Sequence, residues 1–149
     1  MVLPSVVVKN LIELINNNLN VFPKGTIIKE GSEDLSTGDA PLSILVYADF
    51  DDKAEIAAMG IPLDVPVSVY LQCTSGSFAT ATESFEQALL MAISCIKIIC
   101  QDNYYDLTNT DGELEPVNIQ AQEYPISIIQ KSADASTITA AFTYKMGGF

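Results

Sequence analysis

Carboxylates are the most numerous groups in this sequence that could do chemistry, and one cluster follows a predicted strand. Asp49, Asp51, Asp52 and Glu55 lie at the end of the apolar run at residues 42–50 and just beyond it. Carboxylate oxygens in such a position are ligands that Mg²⁺ accepts. Because no glycine-rich phosphate loop accompanies them, the sequence favours a solvated acidic loop over a metal site.

A second acidic stretch contains Asp111-Gly112 and invites comparison with the calcium-binding EF-hand loop. With Gly112 at the sixth loop position, Asn109 and Asp111 match the third and fifth positions. The first and twelfth positions are then Leu107 and Asn118, and neither carries the carboxylate that those positions need. The EF-hand pattern is excluded, and a looser calcium site is the alternative that stays open.

Two kinds of nucleophile are present, but nothing in the sequence activates either of them. Ser75-Gly76-Ser77 lies between a predicted strand and a predicted helix, where a nucleophile elbow would place its serine. The pattern Gly-x-Ser-x-Gly is absent and the chain contains no His, so a Ser-His-Asp triad is excluded. We therefore expect a turn with capping serines, no enzyme and no cofactor.

The three cysteines, Cys73, Cys95 and Cys100, are odd in number and contain no Cys-x-x-Cys pair. A reactive thiolate needs a basic or electropositive neighbour, and the flanking residues supply none. The cysteines are predicted to be reduced, buried packing residues of a protein in a reducing compartment.

The charge balance excludes several classes of partner. The net charge is -12, and the seven basic residues are all Lys, because the chain contains no Arg. Nucleic acids and anionic membranes need clustered cations, so binding to either is not expected. The most apolar window, residues 88–100, contains Lys97 and falls short of the roughly 20 residues that span a membrane. No signal peptide is recognisable at the N-terminus.

Hydrophobic periodicity predicts two helices, at residues 4–19 and 80–101, with Thr82 as a candidate N-cap of the second. The apolar stripe predicted for the second helix consists of Phe85, Leu89, Ala92, Ile93, Ile96 and Cys100.

Alternating or β-branched runs predict a short strand at 26–30, central strands at 42–50 and 65–74, and a C-terminal hairpin at 124–131 and 137–145. Weaker patterns suggest helical turns at 51–60 and a strand at 117–121, with polar loops at 31–41 and 102–116. Residues 1–149 are predicted to form a single α+β domain, a mainly antiparallel sheet of four to five strands with two helices packed on one face.

The second predicted helix is apolar on more sides than one domain of this size readily covers. Its additional apolar residues include Leu90, Met91 and Ile98, and we expect them to contact another subunit. Tyr104 and Tyr105, in a predicted loop, are further expected contact residues, because tyrosine is enriched in protein interfaces.

The order of these elements resembles that of bacteriophage tail-terminator and neck proteins. The resemblance rests on a starting amphipathic helix and an irregular loop before the strand LSILVYADF. These are followed by the strand–SGS–helix segment SFATATESFEQALLMAISCIKII and the closing hairpin YPISIIQKSADASTITAAFTYKM, and together they cover most of the chain. It implies a non-enzymatic virion protein, assembled in the host cytoplasm, in which six copies form a ring that joins the tail tube to the head.

The same resemblance implies that the partners are further copies of this chain, tail-tube proteins, and neck or portal proteins. DNA would pass through the acidic ring without specific binding. The absence of Arg is a departure, because connector proteins often grip a portal or tube with Arg. The alternatives are a small monomeric or dimeric adaptor module from a prophage or mobile element, and an enzyme using carboxylates and a divalent metal.

Overall fold

The computed structural model describes residues 3–31, 42–50, 66–76, 80–100, 126–131 and 137–145. The elements are helices α1 (Pro4–Asn16) and α2 (Ala81–Cys100), a 3-10 helix (Leu19–Val21), and strands β1 (Ile27–Glu30), β2 (Leu42–Phe50), β3 (Pro66–Ser75), β4 (Ile126–Lys131) and β5 (Thr137–Lys145). The predicted α+β class is confirmed. The turns predicted at 51–60 and the strand predicted at 117–121 lie outside the described residues.

Helix α1 begins at Pro4, whose missing N–H costs nothing in the first turn. It ends at Asn16, earlier than predicted, because the chain tightens into the 3-10 helix after two further residues. The side chain of Asn18 donates a hydrogen bond of 2.8 Å to the Leu14 carbonyl oxygen. This bond satisfies one of the carbonyls that the end of a helix leaves without an intrahelical donor.

The strands form a mixed sheet in the order β1-β2-β3-β5-β4. Strand β1 runs parallel to β2, with Ile27 opposite Ser43 and Glu30 opposite Val46, whereas the other neighbouring strands are antiparallel. This corrects the expectation of a mainly antiparallel sheet. Consecutive strands usually form hairpins, but the connection between β1 and β2 is long enough for a return crossover.

Both helices contribute to one hydrophobic core with alternate residues of the central strands. The register of β2, β3 and β5 places Val46, Leu71 and Ala140 side by side in this core. The predicted alternation of β3 is confirmed, because Val67, Val69 and Leu71 are all buried there. Strand β3 lies between β2 and β5 and is therefore not an edge strand. Pro66 is its first residue, a position where a sheet tolerates proline.

Helix α2 is capped by Thr80, which corrects the prediction of Thr82. The Glu83 amide donates to the Thr80 side-chain oxygen at 3.1 Å, and the Ser84 amide donates to the Thr80 carbonyl oxygen. Thr82 is an exposed residue inside the helix. The buried stripe is also rotated from the predicted one and consists of Ser84, Ala88, Met91, Ala92, Cys95 and Ile99.

The two threonines give a direct test of the cap. We expect Thr80→Ala to lower the free energy of unfolding by about 1 kcal/mol, because the Glu83 amide loses its acceptor. Thr82→Ala is the matched control and should change it by less than about 0.5 kcal/mol, since the side chain is exposed. Urea denaturation followed by circular dichroism measures both, and equal effects would show that Thr80 is not the cap.

The central position of Leu71 gives a second prediction. Its side chain is fully buried between β2 and β5, so Leu71→Ala should lower the free energy of unfolding by about 3 kcal/mol through lost burial and a residual cavity. Leu90→Ala removes the same atoms from an exposed position on α2 and should cost about 0.5 kcal/mol or less. The same urea titrations compare the two, and similar losses would contradict this description of the core.

Candidate functional site

The sheet has a second face, formed by the alternate residues that point away from the core. On β2, β3 and β5 it consists of Ser43, Leu45, Tyr47, Asp49, Ser68, Tyr70, Gln72, Thr74, Thr137, Thr139, Ala141 and Thr143. The core side chains of α1 and α2 pack with the opposite set of strand residues. Among these residues Asp49 is the one carboxylate, although the chain as a whole carries a net charge of -12, and Lys145 takes the next position of the same alternation on β5, opposite Pro66 of β3.

Hydroxyl pairs join β3 to β5 across this face. The side-chain oxygens of Ser68 and Thr143 are 3.0 Å apart, and those of Thr74 and Thr137 are 3.3 Å apart. Such cross-strand pairs stabilise a sheet and favour one register over its neighbours. They hold the polar side chains of the second face in fixed positions.

Two stacked tyrosines join β2 to β3 on this face. The rings of Tyr47 and Tyr70 have centroids 5.1 Å apart and an angle of 24° between their planes. Both side chains are half-buried. A rigid aromatic pair with polar hydroxyls offers contact area at a small cost in side-chain entropy, which is why tyrosine is common in protein interfaces.

Gln72 carries a buried acceptor in the same row as Leu45 and Thr139. Its Oε1 atom accepts no hydrogen bond from the part of the chain that the structure describes. A buried acceptor without a donor costs about 1–3 kcal/mol. The face would therefore gain from any additional donor that reaches Gln72.

Access to the second face is uneven. Six residues of this face are each less than a tenth exposed: Ser43, Leu45, Ser68, Thr74, Thr139 and Ala141. The accessible part is the tyrosine end of the face, where Tyr47, Tyr70 and Thr143 are half-buried and Asp49 is exposed. We call these four residues, together with Ser68, the tyrosine end.

The contact residues predicted from the sequence fall into three groups. Tyr104 and Tyr105 lie outside the described residues. Leu90 is 56% exposed on α2, whereas Ile98 is partly buried against the core. Met91 is 1% exposed and belongs to the core itself. Packing within the chain therefore accounts for most of the apolar surface of α2, and Leu90 is the predicted contact residue on it that is open to solvent.

The residues considered above as metal ligands or as a nucleophile lie in different parts of the chain. Asp49 lies exposed near the end of β2, and the other members of its acidic cluster, like the stretch around Asp111, fall outside the described residues. Within the described ranges no three His, Cys, Asp or Glu side chains gather as metal ligands would. Ser75 is buried on the helix-bearing side, and none of the residues that the structure describes forms a hydrogen bond with its hydroxyl. None of the helices described is both long and apolar enough to cross a membrane.

The sequence predicts Tyr104 and Tyr105 as contact residues and does not predict the stacked pair. Alternation along the strands is the pattern that indicates which face Tyr47 and Tyr70 share, because each lies between core residues of its strand. Their juxtaposition also requires the register of β2 against β3, which places them directly opposite each other. Local patterns do not supply that register.

Comparison of the sequence with models of known protein families and with curated proteins found no match. The functional proposal therefore rests on the fold and on the residues described above.

Tyr144, on the core side of the sheet, gives the stability of the fold a measurable pH dependence. It is a core residue of β5, and burial raises the pKa of its phenol from 10.0 to about 12. A raised folded pKa means that the folded chain holds the proton more tightly, so stability is fully present below about pH 10 and declines towards about pH 12. The loss attributable to Tyr144 should reach about 2–3 kcal/mol.

Urea titrations from about pH 9 to about pH 12 of the protein and of Tyr144→Phe measure this contribution. The variant lacks the ionisable group, so its stability should decline less steeply over that range, whatever its stability at neutral pH. Parallel curves would contradict a raised pKa for Tyr144.

Proposed function

We propose that this protein is a non-enzymatic structural protein of a phage virion, a tail terminator or neck protein that forms a ring joining the tail tube to the head. The observation that carries the proposal is the second face of the sheet. On β2, β3 and β5 this face carries a single carboxylate, Asp49, in a strongly acidic chain, and its accessible part is the tyrosine end.

Electrostatics explain why such a surface suits contact between copies. Identical chains of net charge -12 repel one another, and they approach most easily where few charges meet. Charged residues are depleted in the cores of protein interfaces, and tyrosines are enriched there. At the tyrosine end, Tyr47 and Tyr70 stack beside the Ser68–Thr143 hydroxyl pair, and Asp49 is the one carboxylate there. A second copy of this chain is its proposed occupant.

A ring follows from joining copies head to tail with a rotation that closes. The order of helices and strands in the described residues is the order on which the resemblance to tail-terminator and neck proteins rests. A hexamer is the proposed stoichiometry, with tail-tube and neck or portal proteins above and below. The absence of Arg and the excess of acidic residues suit a ring through which DNA slides without being held.

A monomeric or dimeric adaptor module is the second candidate function. The observation that favours it is Leu90, a large apolar side chain that is 56% exposed on the outer side of α2. An adaptor would use this surface to bind a different protein and would not assemble with itself. The two candidates therefore assign binding to different sides of the molecule.

Matched charge insertions separate these functions. Tyr70→Glu adds a negative charge to the tyrosine end, and Leu90→Glu adds the same charge to α2. Size-exclusion chromatography with light scattering across a concentration series, with negative-stain images of large species, should show rings for the unmodified protein. Because like charges would then meet at each contact, Tyr70→Glu should weaken association at least about tenfold, whereas Leu90→Glu should leave it unchanged.

Circular dichroism melts show whether each variant is folded, and Thr143→Glu repeats the test at a second position of the tyrosine end. A strict monomer at every concentration, even with candidate tail-tube and portal proteins added, would contradict the ring. If Leu90→Glu alone lost association, the contact between copies would lie on α2 and not at the tyrosine end.

A further inference from the structure

The outer side of helix α2 carries a line of side chains that runs along the helix. Its members follow one another at spacings of four, three and four residues, as positions on one side of a helix do, and they are Glu86, Leu90, Ile93 and Lys97. Three of them are exposed, and Ile93 is partly exposed. We call these four residues the outer line.

The outer line lies on the opposite side of α2 from the core. The buried residues of the helix repeat the same spacing two positions further along the chain, at Ala88, Ala92, Cys95 and Ile99. Two residues correspond to about 200° of rotation around a helix, so the outer line faces away from the sheet. Leu90, in the middle of it, is 56% exposed. Cover over this apolar side chain would be favourable.

The charges of the outer line lie at its two ends. Glu86 and Lys97 are eleven residues apart, which is about 17 Å along a helix axis and too far for an ion pair within α2. Neither residue has an opposite charge three or four positions away in the sequence, where a helix would pair them. The line therefore has a negative end, an apolar middle and a positive end.

We propose that the outer line binds the outer line of a second copy of this chain, with the two α2 helices antiparallel about a two-fold axis. Glu86 of one copy then meets Lys97 of the other, and Leu90 of one meets Ile93 of the other. Both pairs are centred on the same point of the helix, between residues 91 and 92, so one alignment makes all four contacts. In a parallel pair, like charges would meet at both ends.

This contact goes beyond the proposed ring and does not depend on it. The tyrosine end lies on the face of the sheet that points away from the helices, so one copy can make both contacts. Tyr70→Glu changes the ring contact and leaves the outer line intact. Leu90→Glu does the reverse, because it adds a charge to the middle of the outer line.

Reversal of single charges tests the antiparallel pair in the full chain carrying Tyr70→Glu, in which the ring contact is removed. Sedimentation equilibrium over a concentration series gives the monomer–dimer dissociation constant. Glu86→Lys and Lys97→Glu should each raise it at least about tenfold, because the two-fold axis brings like charges together at two points of every dimer. Glu86→Lys also makes the chain less acidic, and a general charge effect would lower the constant instead.

Mixing the two variants provides the sharpest measurement. In a mixed dimer each reversed side chain meets an opposite charge, so an equimolar mixture should associate with a constant within about threefold of that of the parent protein. Glu13→Lys is the matched control, since it makes the same change at an exposed position of α1. It should not weaken the dimer.

Three results would overturn the proposal: a parent protein that is monomeric at every concentration, equal weakening by Glu13→Lys and Glu86→Lys, or a mixture that fails to associate. Circular dichroism melts show that each variant is folded, and Thr143→Glu replaces Tyr70→Glu if the latter is not. Negative-stain images of the protein with its tyrosine end unchanged test the ring separately, so either proposal can fail without the other.

Discussion

The packing of both helices against one face of the sheet is the constraint on which the rest of the structure depends. Strand β3 lies at its centre, where Leu71 is flanked by Val46 and Ala140 and contributes to the core shared with α1 and α2. Burial of apolar area drives this arrangement, and the alternation of β3 determines which side chains take part. A shift of one residue in register would exchange the core face for the polar face.

The polar face follows from the same constraint. Once Val67, Val69 and Leu71 point towards the helices, Ser68 and Tyr70 must point away from them. The hydroxyl pairs and the stacked tyrosines then give that side order of its own. The surface proposed for contact between copies is therefore positioned by the core and not by a separate motif.

The sequence predicts the individual elements better than their arrangement. The strand predicted at 42–50 is β2, because a short run rich in apolar, β-branched and aromatic residues is typical of a buried strand. Helix α2 also lies within one residue of its predicted ends. The predicted N-cap, Thr82, is wrong because Thr80 and Thr82 have the same side chain. Only the local backbone determines which of them accepts the hydrogen bond from the Glu83 amide.

The pairing direction of the strands and the contacts between them could not be predicted from the sequence, for a physical reason. The hydrophobic pattern of β1 is the same whether the strand runs parallel or antiparallel to β2, so the mixed sheet could not be derived from it. The Tyr47–Tyr70 stack joins residues that are 23 positions apart in the chain and depends on tertiary register. Tyr104 and Tyr105 remain predictions.

Strand β1 has a consequence for how copies of this chain can join. It lies at one end of the strand order, contains four residues, and ends in the exposed pair Lys29 and Glu30. Short, charged border strands resist the addition of a further strand from another molecule. Backbone pairing between sheets has no natural stopping point and leads to fibres, whereas contact through faces can close on itself. The short and charged edge strand β1 thus favours assemblies of finite size.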